Sequence, residues 1–265
     1  MLTLFRHRRL IASLARREID MRFRGSFFGT SWYVINSLIM LMMYTLVFGT
    51  IFKANWPMTR PGMSSTTGNF AITIFSGLII YNLVSECLTK APNLITMNAN
   101  FVKKVVFPLE ILPVVSLLAS LFNAGIAWLV LIAISFVVGI PPAPTALLAP
   151  VVLIPLIPVI LGLSWLFASL GVYLRDIAQV VPLLATVMLF LAPVFYPRSS
   201  VPEPYRTYSL INPITMPIEQ FRAMTFEGAL PDVQALAIGT IVGCIIAAAA
   251  YAWFVATKRG FADVL

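Results

Sequence analysis

The stretch that decides the fold is GVYLRDIAQVVPLL, residues 171–184, where an arginine and an aspartate stand side by side in one of the least polar regions of the chain. Residues 147–174 carry no charged side chain, and neither do residues 177–197. A charge at a bilayer centre costs roughly 2.5–3.5 kcal/mol on insertion scales. Successive residues of a helix point in different directions, so Arg175 and Asp176 would not neutralise each other there. Residues 147–197 as a single helix would measure about 76 Å, more than twice the roughly 30 Å hydrocarbon core. The chain must therefore reverse at Arg175 and Asp176, at a membrane surface where their charges cost little.

Working outward, residues 111–174 contain no charge at all, and one helix of that length would be about 96 Å long. A second reversal is needed, and GIPPAPTA at 139–146 supplies it, since closely spaced prolines do not continue a helix. The lengths predict six transmembrane helices at 31–52, 69–89, 111–138, 147–173, 178–196 and 233–256. Between the first two lies a loop, KANWPMTRPGMSSTTG at 53–68, rich in turn residues.

Composition agrees. The chain is 60% hydrophobic and 11% charged with a mean hydropathy of +0.93, whereas an ordinary soluble domain is about 25% charged. This is the composition of an all-α polytopic membrane protein. Its net charge of +8 does not point to nucleic acid, because no soluble domain is large enough to present a binding face. Six spans place both termini on one side. That side carries thirteen of the 18 Lys and Arg residues, seven in the N-terminal arm, and the positive-inside rule makes it the cytoplasm.

Two segments do not simply cross. Residues 4–24 set Ile11, Leu14, Ala15 and Ile19 at near-helical spacing among arginines, the pattern of an amphipathic helix at the cytoplasmic interface. The arginines leave no apolar core for a signal peptide. The outer segment 198–232 mixes seven charges with Pro, Tyr, Phe and Met, and reads as short amphipathic or re-entrant helices before the last span.

His7 is the only histidine, and no phosphate-cradling loop, nucleophile elbow or paired-histidine zinc motif is present. No metal site, cofactor site or catalytic residue is expected, so the chain is not read as an enzyme. Cys87 and Cys244 lie in apolar runs and read as small buried hydrophobes. Met40, Met42 and Met43 read as pliable packing. Glu86 and Glu110 fall near expected cytoplasmic span ends, where a nearby Lys or a helix end is the ordinary partner of a carboxylate.

Several blocks, in order, resemble the membrane subunit of type-2 ABC exporters for polysaccharides such as O-antigen, capsule and teichoic acid. REIDMRFRGSFFGTSWYVINSLIMLMMYTLVFGTIF (17–52) is similar to the family's basic interfacial helix feeding the first span. NANFVKKVVFPLEILPV (98–114) is similar to its segment entering the third span, and LRDIAQVVPLL (174–184) with APVFYP (192–197) to its fourth and fifth spans. NPITMPIEQFR (212–222) is similar to its outer loop. The resemblance implies a homodimer in a bacterial inner membrane with two separate cytoplasmic ATPase subunits, ATP and Mg being bound by those partners. The cargo it implies is a lipid-linked polysaccharide, O-antigen or capsule. An ABC-2 exporter of a drug or lipid, and an integral membrane transferase of glycan assembly, are the alternatives.

Roles follow from that resemblance. Residues 86–104, with Glu86, Asn98, Asn100, Lys103 and Lys104, would form the coupling element on the ATPase, joined by Arg175 and Asp176 at their turn; topology alone also accounts for these charges. Arg16, Arg17, Arg22 and Arg24 would meet the phosphate of the lipid carrier, since guanidinium forks match phosphate oxygens; general attraction to anionic membrane lipid is the competing account. Trp32, Tyr33, Phe195, Tyr196, Tyr205 and Tyr208 would offer flat faces to sliding sugar rings, or form an interfacial aromatic belt.

Overall fold

The computed structural model describes residues 6–22, 27–51, 67–103, 107–203 and 205–265, and those residues form helices and their connections without strands. In chain order the helices are α1 (Arg8–Arg22), α2 (Trp32–Tyr44), α3 (Thr67–Lys90), α4 (Ala99–Lys103), α5 (Leu112–Val137), α6 (Leu153–Tyr173), α7 (Ile177–Leu191), α8 (Tyr205–Tyr208), α9 (Thr215–Arg222), α10 (Val233–Thr257) and α11 (Phe261–Val264). Four stretches are long and apolar enough to cross a membrane: Phe70–Asn93, Leu109–Val137, Pro144–Tyr173 and Val233–Val264. Two shorter apolar helices, Trp32–Val47 and Ile177–Leu191, occupy the positions expected for a first and a fifth span.

The reversal at 139–146 forms as the prolines require. At the end of α5, Gly139 takes φ +80 and donates to Phe136 O at 3.2 Å, while Ile140 N donates to Ser135 O at 2.8 Å. This is a Schellman ending, which favours glycine because the left-handed conformation crowds a Cβ. The chain resumes as a 3-10 stretch, Pro144–Val152, that leads into α6.

At the second reversal Leu174 is extended, and Arg175 and Asp176 are exposed. The Asp176 side chain makes no capping hydrogen bond, so the pair marks the turn by solvation; backbone bonds from Gln179 N and Val180 N to Asp176 O close it. On the other side, Gly171 packs so tightly on Pro92 that a Cβ would overlap the proline carbonyl.

The helix expected over 178–196 ends at Leu191, and the one expected to begin at 147 is regular only from Leu153. Ala192 turns extended (φ −82, ψ 150) ahead of Pro193, and the carbonyls of Pro193 and Val194 then accept hydrogen bonds from Arg222 rather than from a further helical turn.

The bundle is organised around α3. Every residue from Phe70 to Ile80 is buried, so α3 packs on all sides, against α2, α5, α6, α7 and α9. The helix α10 is the opposite case, with few of its residues buried. Cys244, expected inside, is exposed on α10, whereas Cys87 is buried. Where α10 meets α6 it does so through small residues: a Cβ on Gly162 would lie 3.0 Å from Ala247 Cα, and one on Gly243 would lie 2.9 Å from Pro155 O. Close backbone approach of this kind is what drives helix association where burial against lipid gains little.

The first and last described helices, α1 and α11, come to the same end of the bundle. α1 lays Ile11 and Ala15 on Ile111 and Val115, near the start of the Leu109–Val137 stretch. Phe261 and Phe254 pack with Ile95, Leu109 and Leu112. Lys258 Nζ meets Glu110 Oε2 at 2.7 Å, and Trp165 Nε1 donates to Glu110 O at 3.0 Å.

Candidate functional site

At that end of the bundle, an open cavity of about 450 Å³ lies between α2, α3 and α5, with the last residue of α1 at its mouth. Its walls are apolar toward the interior, at Met40, Phe75, Ile79 and Leu83, and polar elsewhere, at Asn36, Ser37, Asn82, Ser85, Glu86, Ser120 and Asn123. Amides and hydroxyls on membrane helices normally face a partner helix or an aqueous space, because lipid cannot satisfy them.

Glu86 anchors the cavity electrostatically. Its Oε1 accepts from Arg22 Nη1 at 2.5 Å and from Lys90 Nζ at 2.9 Å, and its Oε2 accepts from Asn123 Nδ2 at 3.3 Å. Lys90 sits one turn along the same helix, the spacing at which opposite charges meet, and also reaches Glu18 at 3.3 Å. The Arg22 guanidinium carbon lies 5.5 Å from the centre of the Tyr33 ring. Two cations and two carboxylates thus balance, and they tie α1 to α3. Arg22 keeps 40% of its side chain exposed while Glu86 keeps 14%, so the carboxylate is the held partner and the guanidinium faces the opening.

The other expected residues fall in separate places. Arg16 and Arg17 are exposed on the face of α1 away from Ile11 and Ala15; Arg24 and Lys104 lie outside the described residues. The connection after α3 runs through two 3-10 turns, Ala91–Asn93 and Thr96–Asn98, into α4, which ends at Lys103. There Asn98 Nδ2 bonds Leu94 O at 2.8 Å, holding the turn, while Asn100 is exposed. Glu86 is not part of this knuckle: it points to Arg22 and so joins the expected entrance arginine rather than the coupling asparagines. Met97, which sequence reading passed over, stands 83% exposed at the knuckle's tip.

The six aromatics do not form one track. Tyr33 is buried against Phe122 and Trp32 is half-buried, both at the start of α2. Phe195 and Tyr196 are half-buried just beyond α7, and Tyr205 and Tyr208 are exposed on α8.

The far end of the bundle is held by Arg222, which sequence reading counted only as a loop charge. It is 7% exposed; its Nε donates to Thr73 O at 3.0 Å and Ser76 Oγ at 3.3 Å, its Nη2 to Val194 O at 2.8 Å, and its Nη1 to Pro193 O. A Cβ on Gly77 would sit 2.5 Å from Nη2, so glycine there makes room for the guanidinium. Glu219, three residues earlier, pairs with Arg198 at 3.5 Å, and burial raises its carboxyl pKa above the ordinary value while Arg198 pulls it back. Thr145 Oγ1 donates to Met224 O at 2.6 Å and Ala143 N to Thr225 O at 2.8 Å, stitching the 139–152 reversal to the same segment.

Comparison with known proteins agrees with this arrangement of helices. The family model described as ABC-2 type transporter matches residues 9–226. The chain is 28% identical to the O-antigen export system permease protein RfbA of Myxococcus xanthus, over 98% of this chain and 96% of that one. It is 25% identical to the protein of the same name from Klebsiella pneumoniae, over 97% and 95%. With the polysialic acid transport protein KpsM of Escherichia coli it shares 24% identity over 91% and 92% of the two chains. Matched by the family model over most of its length, the chain belongs to the ABC-2 type transporter family.

Proposed function

We propose that this chain is the channel-forming permease subunit of an ATP-driven exporter that moves a lipid-linked polysaccharide, O-antigen or capsule, across the bacterial cytoplasmic membrane. The observation that carries the reading is end-to-end similarity to permeases named for O-antigen export, without a large unmatched segment in either chain. The permease acts as a homodimer of six-span subunits with both termini cytoplasmic, and two copies of a separate ATPase chain bind ATP and Mg beneath it. The convergence of α1, the 91–103 knuckle, the Arg175–Asp176 turn and Lys258 at one end of the bundle supports that orientation, because most basic residues then share one membrane face.

Within this reading the roles are spatially distinct. Asn98, Asn100, Lys103, Lys104 and the exposed turn Arg175–Asp176 dock the ATPase. Arg16, Arg17, Arg22 and Arg24 receive the carrier's phosphate, and Glu86 orients Arg22 for it. Phe195, Tyr196, Tyr205 and Tyr208 guide sugar rings near the outer exit, with Trp32 and Tyr33 at the entrance.

The test is reconstitution of this chain with its ATPase in lipid vesicles, measuring movement of lipid-linked glycan with active or hydrolysis-dead ATPase. Movement that needs hydrolysis is the expected result. A stable complex that moves no glycan would refute the cargo, and absence of any ATPase complex would refute the exporter itself.

A further inference from the structure

We infer that the cavity between α2, α3 and α5 is a phosphate–polyol site, which takes the phosphate of an amphiphile at Arg22 and the hydroxyls of the sugar next to that phosphate at Asn36 and Asn82. The inference rests on the carrier-phosphate reading of Arg22 and extends it to the group on the other side of the phosphate.

Asn36 and Asn82 are exposed into the cavity from neighbouring helices, and neither carboxamide has a hydrogen bond within the described chain. Each offers two donors and an acceptor, the combination that matches vicinal hydroxyls, which both donate and accept. The cavity's size lies within the range of about 300–1,000 Å³ usual for small-molecule sites.

Charge supports a phosphate diester rather than a free polyol. Arg22 is half-exposed at the mouth, and its partner Glu86 retains Lys90 and Asn123 when Arg22 turns to a phosphate. The carboxylate is then not left bare, which limits the cost of the exchange. The apolar interior wall has no use for the phosphate and suits the carbon face of a sugar ring.

A phosphate beside hydroxyls occurs both in a glycan carrier and in a glycerol-headed membrane lipid, and the test separates them. The full chain in phosphatidylcholine nanodiscs is offered dodecyl phosphate, dodecyl glucosyl phosphate, dodecyl glucoside or phosphatidylglycerol, and retained probe is counted by native mass spectrometry. Wild type is expected to retain dodecyl glucosyl phosphate roughly five- to tenfold over dodecyl phosphate, the worth of one or two hydrogen bonds. N36L/N82L, similar in volume, should lose that ratio while binding dodecyl phosphate as before. A ratio near one in wild type, or an undiminished ratio in N36L/N82L, overturns the inference. Phosphatidylglycerol retained as well as dodecyl glucosyl phosphate, and likewise lost in N36L/N82L, upholds the site and names the bilayer as its source; weaker retention upholds the site and names the glycan carrier. If dodecyl glucoside binds through Asn36 and Asn82 while dodecyl phosphate does not bind, the sugar half stands and the carrier-phosphate reading of Arg22 fails.

Discussion

Arg222 and Gly77 are two residues far apart in sequence that explain one another. The guanidinium is buried with acceptors on every nitrogen, from α3 on one side and the 193–194 backbone on the other. Lys has three donors on one point and cannot span acceptors placed around a planar fork. Arg222→Ala is expected to cost about 3–5 kcal/mol, as removal of a buried polar network centre does, and Arg222→Lys somewhat less, read as a fall in the thermal midpoint of the full chain in detergent. Gly77→Ala is expected to cost about 1–3 kcal/mol by overpacking. In the Arg222→Ala background that cost should largely vanish, because the atom the Cβ would strike is gone. Additive losses would mean that Gly77 serves something other than the guanidinium. The same approach applies to Arg22 and Glu86, where a double-mutant cycle should return a coupling of roughly 1–3 kcal/mol, and no coupling would remove the tie between α1 and α3.

At the level of elements, length without charge located the apolar helices well, because no helix of 64 residues fits a bilayer. The glycine and prolines at 139–146 marked their turn for a local reason, and so did Arg175 and Asp176. What the sequence hid was non-local. The early end of α7 depends on Arg222, which reaches across from another helix to take carbonyls that a continued helix would have used. The cavity was hidden likewise: Asn36, Asn82, Ser120 and Asn123 are scattered over three helices, and the available signal was that amides in apolar spans need a reason. Glu86 was legible as a carboxylate beside Lys90, but its bond to Arg22 required knowing where α1 lies. The crossing of α6 and α10 gives a further prediction. Gly243→Leu should separate the helices and lower the thermal midpoint, since the new side chain would meet Pro155 and Pro158, whereas Ile241→Leu, on an exposed position of the same helix, should leave it unchanged.

For the whole molecule the prediction concerns orientation. Single cysteines at Arg175 and at Tyr205, both exposed, should react with a membrane-impermeant thiol reagent from opposite faces of sealed vesicles. In a background without Cys87 and Cys244, labelling of both from one face would overturn the six-span topology. One further property follows from α3, which is mostly buried and markedly less apolar than the stretch that contains α6. Thr73, Ser76, Asn82 and Ser85 make α3 a modest guest in lipid. Ribosomes emit it before α5, α6, α7 and α9, four of the five helices that pack on it. During synthesis this segment therefore waits half-solvated for company not yet made, and slowing the chain between α3 and α9 should raise the share of nascent protein delivered to membrane proteases.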